Sequence, residues 1–297
     1  VQVVDVRKSS KFLAIRRQKT DVHDARGLAE LGRLARSMGS QVFVKPMEHQ
    51  NIRTLINVRR TMLKNRARTD ALIQSIFRLY GGNVKLLNGR GALAAEVNDQ
   101  VRKMRQHELE IGVNLQPLVE IAEALREQIS ILDRQMRDIA SNNPTCRNFQ
   151  TIPGVGAVIA LSFYSAIGDP YRFERSRDVG AYLGLTPTLY QSGATSRRGR
   201  ISRHGNKLTR MHLITAATVL LCRIEIESRL RTWGLELAQR VGFLKARVAV
   251  ARKLAVIMLG MWKSGSPFRP DGTSSLFLQQ EEAGLDPVLI SGTQISL

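Results

Sequence analysis

The chain has 297 residues and a net charge of +20, with a pI of about 10.9. That length can build two domains with real cores, and the charge points to a polyanion, either nucleic acid or an anionic membrane surface. No apolar run reaches the length of a membrane span, no signal peptide opens the chain, and aromatic residues make up 5% of it, too few for a single-strand base-stacking platform.

The expectation is therefore a cytoplasmic, nucleoid-associated protein that binds nucleic acid and no membrane. Cys146 and Cys222 form no metal-ligand spacing and are read as buried thiols of a reducing compartment.

Val1–Val6 is short and β-branched, which predicts a strand. Arg7–Lys19 reads as a basic connector. The next stretch has apolar residues at helical spacing from Val22 to Met38, with Gly39 as a natural stop. Gln41–Val44 predicts a second strand. Strand, helix and strand make a βαβ unit and imply a parallel sheet. Asp21 and Asp24 share one face at the start of the helix. Two carboxylates there can hold Mg²⁺, which keeps several waters. They can equally serve as a helix cap or as partners of the helix dipole.

Met47–Tyr80 reads as one long helix. Leu55, Val58, Met62, Asn65, Thr69, Leu72, Ile76 and Leu79 alternate steps of three and four. Arg53, Arg59, Arg60, Lys64, Arg66 and Arg68 decorate it, with no acid between Glu48 and Asp70. After an irregular stretch, Leu115 to Ile139 repeats the alternation with more balanced charge. The two seams predict an antiparallel helical hairpin or an oligomer-forming coiled coil; ordinary helices of a bundle give the same pattern.

Asn142-Asn143-Pro144 breaks the second helix and marks a domain boundary. Ile152-Pro153-Gly154-Val155-Gly156 then leads into an apolar helix, Ala157–Ile167. This resembles the turn of helix-hairpin-helix modules, in which glycine amides and a helix N-terminus hold a phosphate. Tyr171–Leu185 follows, with Phe173 and Leu183 as core. Lys207–Trp233 and Leu235–Trp262 read as two further helices. Ser264–Leu297 is rich in Gly, Ser and Pro and is read as disordered or loosely docked.

The most informative stretch is Ser192–Arg210, SGATSRRGRISRHGNKLTR. It holds five Arg and one Lys, and no Asp or Glu occurs from Val179 to Ile224. Unbalanced cationic charge of this kind suits a polyanion. Its glycines permit turns and close approach to a phosphate, and a hydroxyl beside such a turn can meet a phosphodiester. A solvated basic loop has the same composition.

Five segments occur in order: KTDVHDAR, VFVKPMEHQ before the long helix, IPGVG, RDVGAYLGLTP and the basic stretch. Together they resemble the DEDD-type insertion-sequence transposases, the bridge-RNA-guided serine recombinases of the IS-one-ten family, over nearly the whole chain.

The resemblance, taken with the residue pattern, gives the expectation of a mixed α/β, mostly α, protein in four parts. Residues 1–46 would be part of a Holliday-junction-resolvase-like (RNase H-like) DEDD domain. Residues 47–145 would be a helical hairpin or coiled coil. Residues 146–265 would be a mainly helical C-terminal transposase domain with the helix-hairpin-helix-like turn, and 266–297 a flexible tail.

Asp21 and Asp24 match the last two of the family's four acids, which implies a Mg²⁺ site. Ser192 matches the attacking serine; Tyr190, Ser196 and Ser202 lie near it, and the residues alone do not choose among these hydroxyls. Gly193, Arg197, Gly199, Ile201, Gly205 and Arg210 match the framework after the serine, and Thr209 departs from the family's usual Leu. The family's first Asp and its Glu would fall upstream of Val1, so the chain is expected to begin inside the acidic domain.

The implied function is a DNA transposase that cuts and rejoins strands through a phosphoserine, with DNA and a guide RNA as partners in a homo-oligomer. Arg197, Arg198, Arg200, Arg203, Lys207, Arg210, Gly154, Gly156, Arg59, Arg60 and Lys64 are the expected nucleic-acid contacts. The alternatives are a purely metal-dependent resolvase-like nuclease and a non-catalytic nucleic-acid-binding remnant.

Overall fold

The computed structural model describes residues 3–14, 20–34, 42–89, 91–104, 111–192 and 195–271. They divide into two units, Val1–Met47 and Glu48–Leu297. Among the described residues the fold is mostly helical, and the sheet is a single antiparallel pair. No helix among the described residues is long and apolar enough to cross a membrane. The tail beyond residue 271 lies outside the described residues.

The expected βαβ unit falls partly on residues 1, 2 and 41, which lie outside the described residues; Val4 is in a β-bridge. Helix α1, Val6–Leu13, occupies the expected connector, and α2 spans Asp21–Leu34. Residues 42–44 form no strand; the Val42 N–H donates to the Val3 carbonyl at 2.8 Å. α1 and α2 meet where Gly27 leaves room for the Leu13 side chain.

The second unit takes in α3, Met47–Leu79, from Glu48 onward, and returns through α4, Ala92–Met104, and α5, Ile111–Asn142. α4 falls in the stretch expected to be irregular. Higher positions on α3 meet lower positions on α5: Arg59 pairs with Asp133, and Asp70 with Arg126. The two helices are therefore antiparallel.

The buried stripe of α3 is Ile52, Ile56, Asp70, Ile73 and Phe77, rotated from the expected seam. Val58, Leu72 and Leu79 of that seam are exposed. The reason is size and charge: this rotation buries Phe77 and three Ile and lets Asp70 and Arg59 reach Arg126 and Asp133 on α5. On α5 the expected seam fares better, with Leu115, Ala122, Ile129 and Met136 buried.

At the far end of this pair, Ile73, Phe77, Val84, Leu93, Val97, Val101, Leu115 and Val119 form a separate core. At the near end, Ile52, Ile56, Met136 and Ala140 join the main core. His49 strengthens that junction: its ring N–H donates to the Gly168 carbonyl at 2.7 Å. Tyr164 stacks on Trp262 and donates to Glu48.

Asn143 ends α5 and caps α6, Pro144–Gln150, accepting from the Cys146 N–H at 3.0 Å. α7, Ala157–Ile167, occupies the residues expected of it and is buried along most of its length, as an apolar helix must be. α8 is a short turn, Asp178–Tyr182. Phe173 and Leu183 are both in the core, as expected.

The last two expected helices are three: α9, Lys207–Cys222; α10, Arg229–Val241; and α11, Phe243–Ser264. Ser228 caps α10 and Gly242, at φ 85°, opens α11. Gly234 lies inside α10, where its missing side chain admits Val250 and Leu221. Cys146 is buried, and burial, with Glu48 beside it, pushes its thiol up to about 12. Cys222 is exposed at the end of α9, against the expectation of two buried thiols.

Candidate nucleic-acid interface and catalytic hairpin

The basic stretch folds into a β-hairpin, β1 (Pro187–Ser192) and β2 (Thr195–Ile201). Pro187 pairs with Ile201, Leu189 with Arg198, Tyr190 with Arg197, and Ser192 with Thr195. Between the first two pairs β1 advances two residues and β2 three, so β2 carries a bulge at Gly199-Arg200. The Thr188 hydroxyl donates to the Arg200 carbonyl across it at 3.1 Å. A bulge bends and twists the strand that carries it. Ser192 is exposed as the last residue of β1. Gly193, expected to form the sharp turn, lies outside the described residues. Sequence reading saw three turns here and missed the strands. The signal was present in the alternation of PTLYQS and in the β-branched residues on both sides of Ser192-Gly193.

The base of the hairpin is locked by close backbone contact. Gly184 and Gly205 have φ of 67° and 74°. A side chain on Gly184 would collide with the Arg203-His204 backbone, and one on Gly205 with the Tyr182 carbonyl. These glycines bring two chain segments together. Arg203, between them, is the non-glycine residue at positive φ (56°) among the described residues, a conformation that costs about 1–2 kcal/mol. Its N–H donates to the Gly184 carbonyl at 3.2 Å.

Arg210 completes the lock. It is buried, and its Nη1 donates to the carbonyls of Leu183 at 2.9 Å and His204 at 2.8 Å. Burial, then the nearby Arg203 charge, pushes its pKa down. The structure thus sets Arg210 under the hairpin, facing carbonyls, whereas Arg200, Arg203 and Lys207 are exposed. Arg197 and Arg198 stand on β2 opposite Tyr190 and Leu189. Ser202 is half-buried at the base, where its N–H donates to the Thr186 carbonyl. Asn206 caps α9 by accepting from the Leu208 and Thr209 amides.

In the IPGVG turn the two glycines differ. Gly154, at φ 90°, faces α9, and a side chain there would press on the Ala216 carbonyl. Gly156 is exposed with open space beside it, as the N-cap residue of α7.

On α3, Lys64 is exposed and Arg60 half-buried. Arg59 is held on Asp133 by two hydrogen bonds, one of them at 3.4 Å. His212 of α9, which sequence reading did not single out, lies beside this pair. Burial, then Arg59 and Arg60, pushes its imidazole down from 6.5 to about 4. The folded protein therefore resists protonation that the unfolded chain accepts. The associated stability is whole above about pH 6.5 and is lost as pH falls toward 4, in total about 3 kcal/mol. His212→Gln should flatten that limb of a urea-midpoint profile between pH 7 and 4. An unchanged profile would show that His212 titrates normally.

Asp21 and Asp24 stand in the first turn of α2. The cap is Thr20, whose hydroxyl accepts from the His23 N–H at 3.3 Å and whose carbonyl accepts from the Asp24 N–H. Neither carboxylate is needed as a cap. Two hard oxygen donors on one turn fit part of a Mg²⁺ shell. Among the described residues no group of three or more His, Cys, Asp or Glu could hold a metal ion.

The sequence model described as "Transposase IS116/IS110/IS902 family" matches residues 146–232. These residues contain α7, the hairpin, α9 and the Arg210 lock. The chain is 30% identical over 268 residues to "Transposase for insertion sequence element IS1111A" of Coxiella burnetii, covering 86% of this chain and 70% of that protein. It is 28% identical over 261 residues to "Probable family 20 transposase" of Pseudomonas aeruginosa, covering 86% and 75%. The transposase for IS1328 of Yersinia enterocolitica is 28% identical over 259 residues, again covering 86% and 75%. With a likeness of this extent, and a match centred on the segment that builds the hairpin, the chain belongs to the IS116/IS110/IS902 family of transposases.

Proposed function

We propose that the chain cuts and rejoins DNA strands of an insertion sequence with Ser192 as nucleophile. The observation that carries the reading is an exposed hydroxyl on a hairpin anchored by two glycines and a buried arginine, inside an acid-free segment. A nucleophile on a fixed support keeps its aim, and misplacement by about 1 Å can cost about a hundredfold in rate.

In the first step the Ser192 Oγ–P bond forms and one P–O bond to a deoxyribose breaks. The serine proton leaves, and the departing sugar oxygen takes up a proton. The strand stays attached to the protein as a phosphodiester, so rejoining is a second transesterification. Arg200 and Arg203, with Arg197 and Arg198, supply positive charge toward the phosphate.

Residues 1–46 are read as part of a resolvase-like acidic domain, in which Asp21 and Asp24 would hold Mg²⁺. The ion, when bound, would supply positive charge to a phosphodiester and its attacking hydroxyl, and the family resemblance assigns that help to the acidic domain of a neighbouring protomer. Gly156 and the first amides of α7 suit a phosphate in the manner of a helix-hairpin-helix turn. The cationic surface suits a guide RNA as well as DNA, since both present phosphates. The exposed Val58, Leu72 and Leu79 on α3 support self-association through the helical pair.

The decisive experiment is adduct trapping. A denaturation-resistant protein–DNA species whose phosphate maps to Ser192 by mass spectrometry is the expected result. Metal-dependent cleavage without an adduct would favour a nuclease, and binding without cleavage in any metal would favour a non-catalytic remnant.

A second measurement separates contact from support. Arg200→Ala and Lys64→Ala should each lower the slope of log affinity against log salt by about 1. Arg210→Ala should leave that slope unchanged while loosening the hairpin. A slope unmoved in all three variants would remove the phosphate contacts from the reading.

A further inference from the structure

Tyr190 is the large aromatic side chain of the hairpin, and 65% of it is exposed. A lone exposed tyrosine is ordinary on a protein surface. Three features set this one apart. Strand alternation puts it on the same face as Ser192, two residues away, or about 7 Å along β1. That is about two base rises of a stacked strand.

Second, the ring leans on a glycine. A side chain at Gly199 would collide with Thr188 and come within 3.1 Å of the Tyr190 ring at Cε2. The bulge thus leaves a bare backbone patch on which one edge of the ring rests while most of it faces outward. A ring held this way loses little freedom when it takes a partner. Third, the surroundings are cationic and acid-free from Val179 to Ile224, so a polyanion that brings nucleobases is drawn to the same face.

Low aromatic content excludes a platform of several rings. It does not exclude one ring beside the nucleophile. We infer that Tyr190 stacks on an unpaired nucleobase next to the phosphate that Ser192 attacks, holding that phosphate in line. This rests on the assignment of Ser192 above. Its chemistry is sequence-tolerant, because every base has a π-face. Tyr190 is thus a positioning residue, and its hydroxyl takes no part in the stacking.

The test uses the whole chain carrying Ser192→Ala, so that no cleavage intervenes. It is titrated with an oligo(dT) strand holding one 2-aminopurine and, separately, with the corresponding ribo-oligomer. Binding should quench the 2-aminopurine fluorescence. Tyr190→Phe should keep the quenching. Tyr190→Leu should lose it and weaken binding about tenfold, equivalent to about 1.4 kcal/mol, with the salt slope unchanged because no charge is removed. Gly199→Ala, which disturbs the ring's support and leaves Tyr190 in place, should also reduce quenching.

Quenching by one polymer and not the other identifies the strand that the ring reads. Absence of quenching with both polymers overturns the inference, as does full quenching in Tyr190→Leu. Adduct trapping on Ser192, measured separately on the parent chain, keeps the two assignments apart. Stacking without an adduct sinks the nucleophile, and an adduct without stacking sinks the role of Tyr190.

Discussion

Replacing Ser192 by alanine should abolish the covalent protein–DNA adduct and lower strand transfer by at least about a thousandfold, since the proposed phosphoserine can then not form. The assay uses supercoiled DNA, with the chain alone and with the N-terminal segment of the Coxiella burnetii relative fused ahead of Val1. The structure narrows the competition among nearby hydroxyls. Ser202 is half-buried at the base, Thr188 is engaged with the Arg200 carbonyl, and Ser192 is exposed at the end of β1. In the fused protein Asp21→Ala and Asp24→Ala should also lose strand transfer while DNA binding persists. An adduct that survives Ser192→Ala would assign the chemistry to another hydroxyl, the exposed Tyr190 among the candidates.

The second large effect concerns stability. Asp70 is buried between α3 and α5, accepting from Arg126 at 2.8 Å and from Arg66 at 3.4 Å. Arg126 is equally enclosed, both side chains being 8% exposed, and it also donates to the Ala122 carbonyl. Arg66 continues the network to Asn88 at 2.8 Å. Asp70→Ala would strand a buried cation and should cost about 3–5 kcal/mol, read as a lower urea midpoint and faster amide exchange in α3, α4 and α5. Replacing both partners, as Asp70→Leu with Arg126→Met, should recover most of the loss, because two charges are then removed together. A cost under about 1 kcal/mol for Asp70→Ala would mean that water reaches the cluster.

These two sites differ in how far the sequence disclosed them. The long helices α3, α5 and α7 are visible as periodicity, because a helix must bury one face or, for α7, nearly all of itself. The rotation of α3 is not visible. It depends on Asp70 meeting Arg126 and Arg59 meeting Asp133, pairs 56 and 74 residues apart. The exposed residues Ser192, Arg200 and Lys64 are legible from charge and from family likeness, since a surface function needs residue types more than neighbours.

The glycines are ambiguous in sequence. Gly154 and Gly205 read equally well as a phosphate cradle and as backbone contacts, and only the fold tells which chain lies against them. Arg210 is ambiguous in the same way. Its neighbours in sequence are cations, yet its neighbours in space are the carbonyls of Leu183 and His204. The break between α9 and α10 was hidden because Ser228 is a cap without a proline or glycine beside it.

The near end of α3 has a mechanical consequence. Ile52 and Ile56 belong to the same core as α7, α9 and α11, so the helix is fixed like a beam set in a wall. Its 33 residues span about 50 Å, and the far end carries a core of its own. A tilt of about 10° at the fixed end would sweep the tip through about 9 Å. A force applied at the tip is therefore felt as torque on the body that carries the hairpin, and the arm converts small rotations of that body into large displacements.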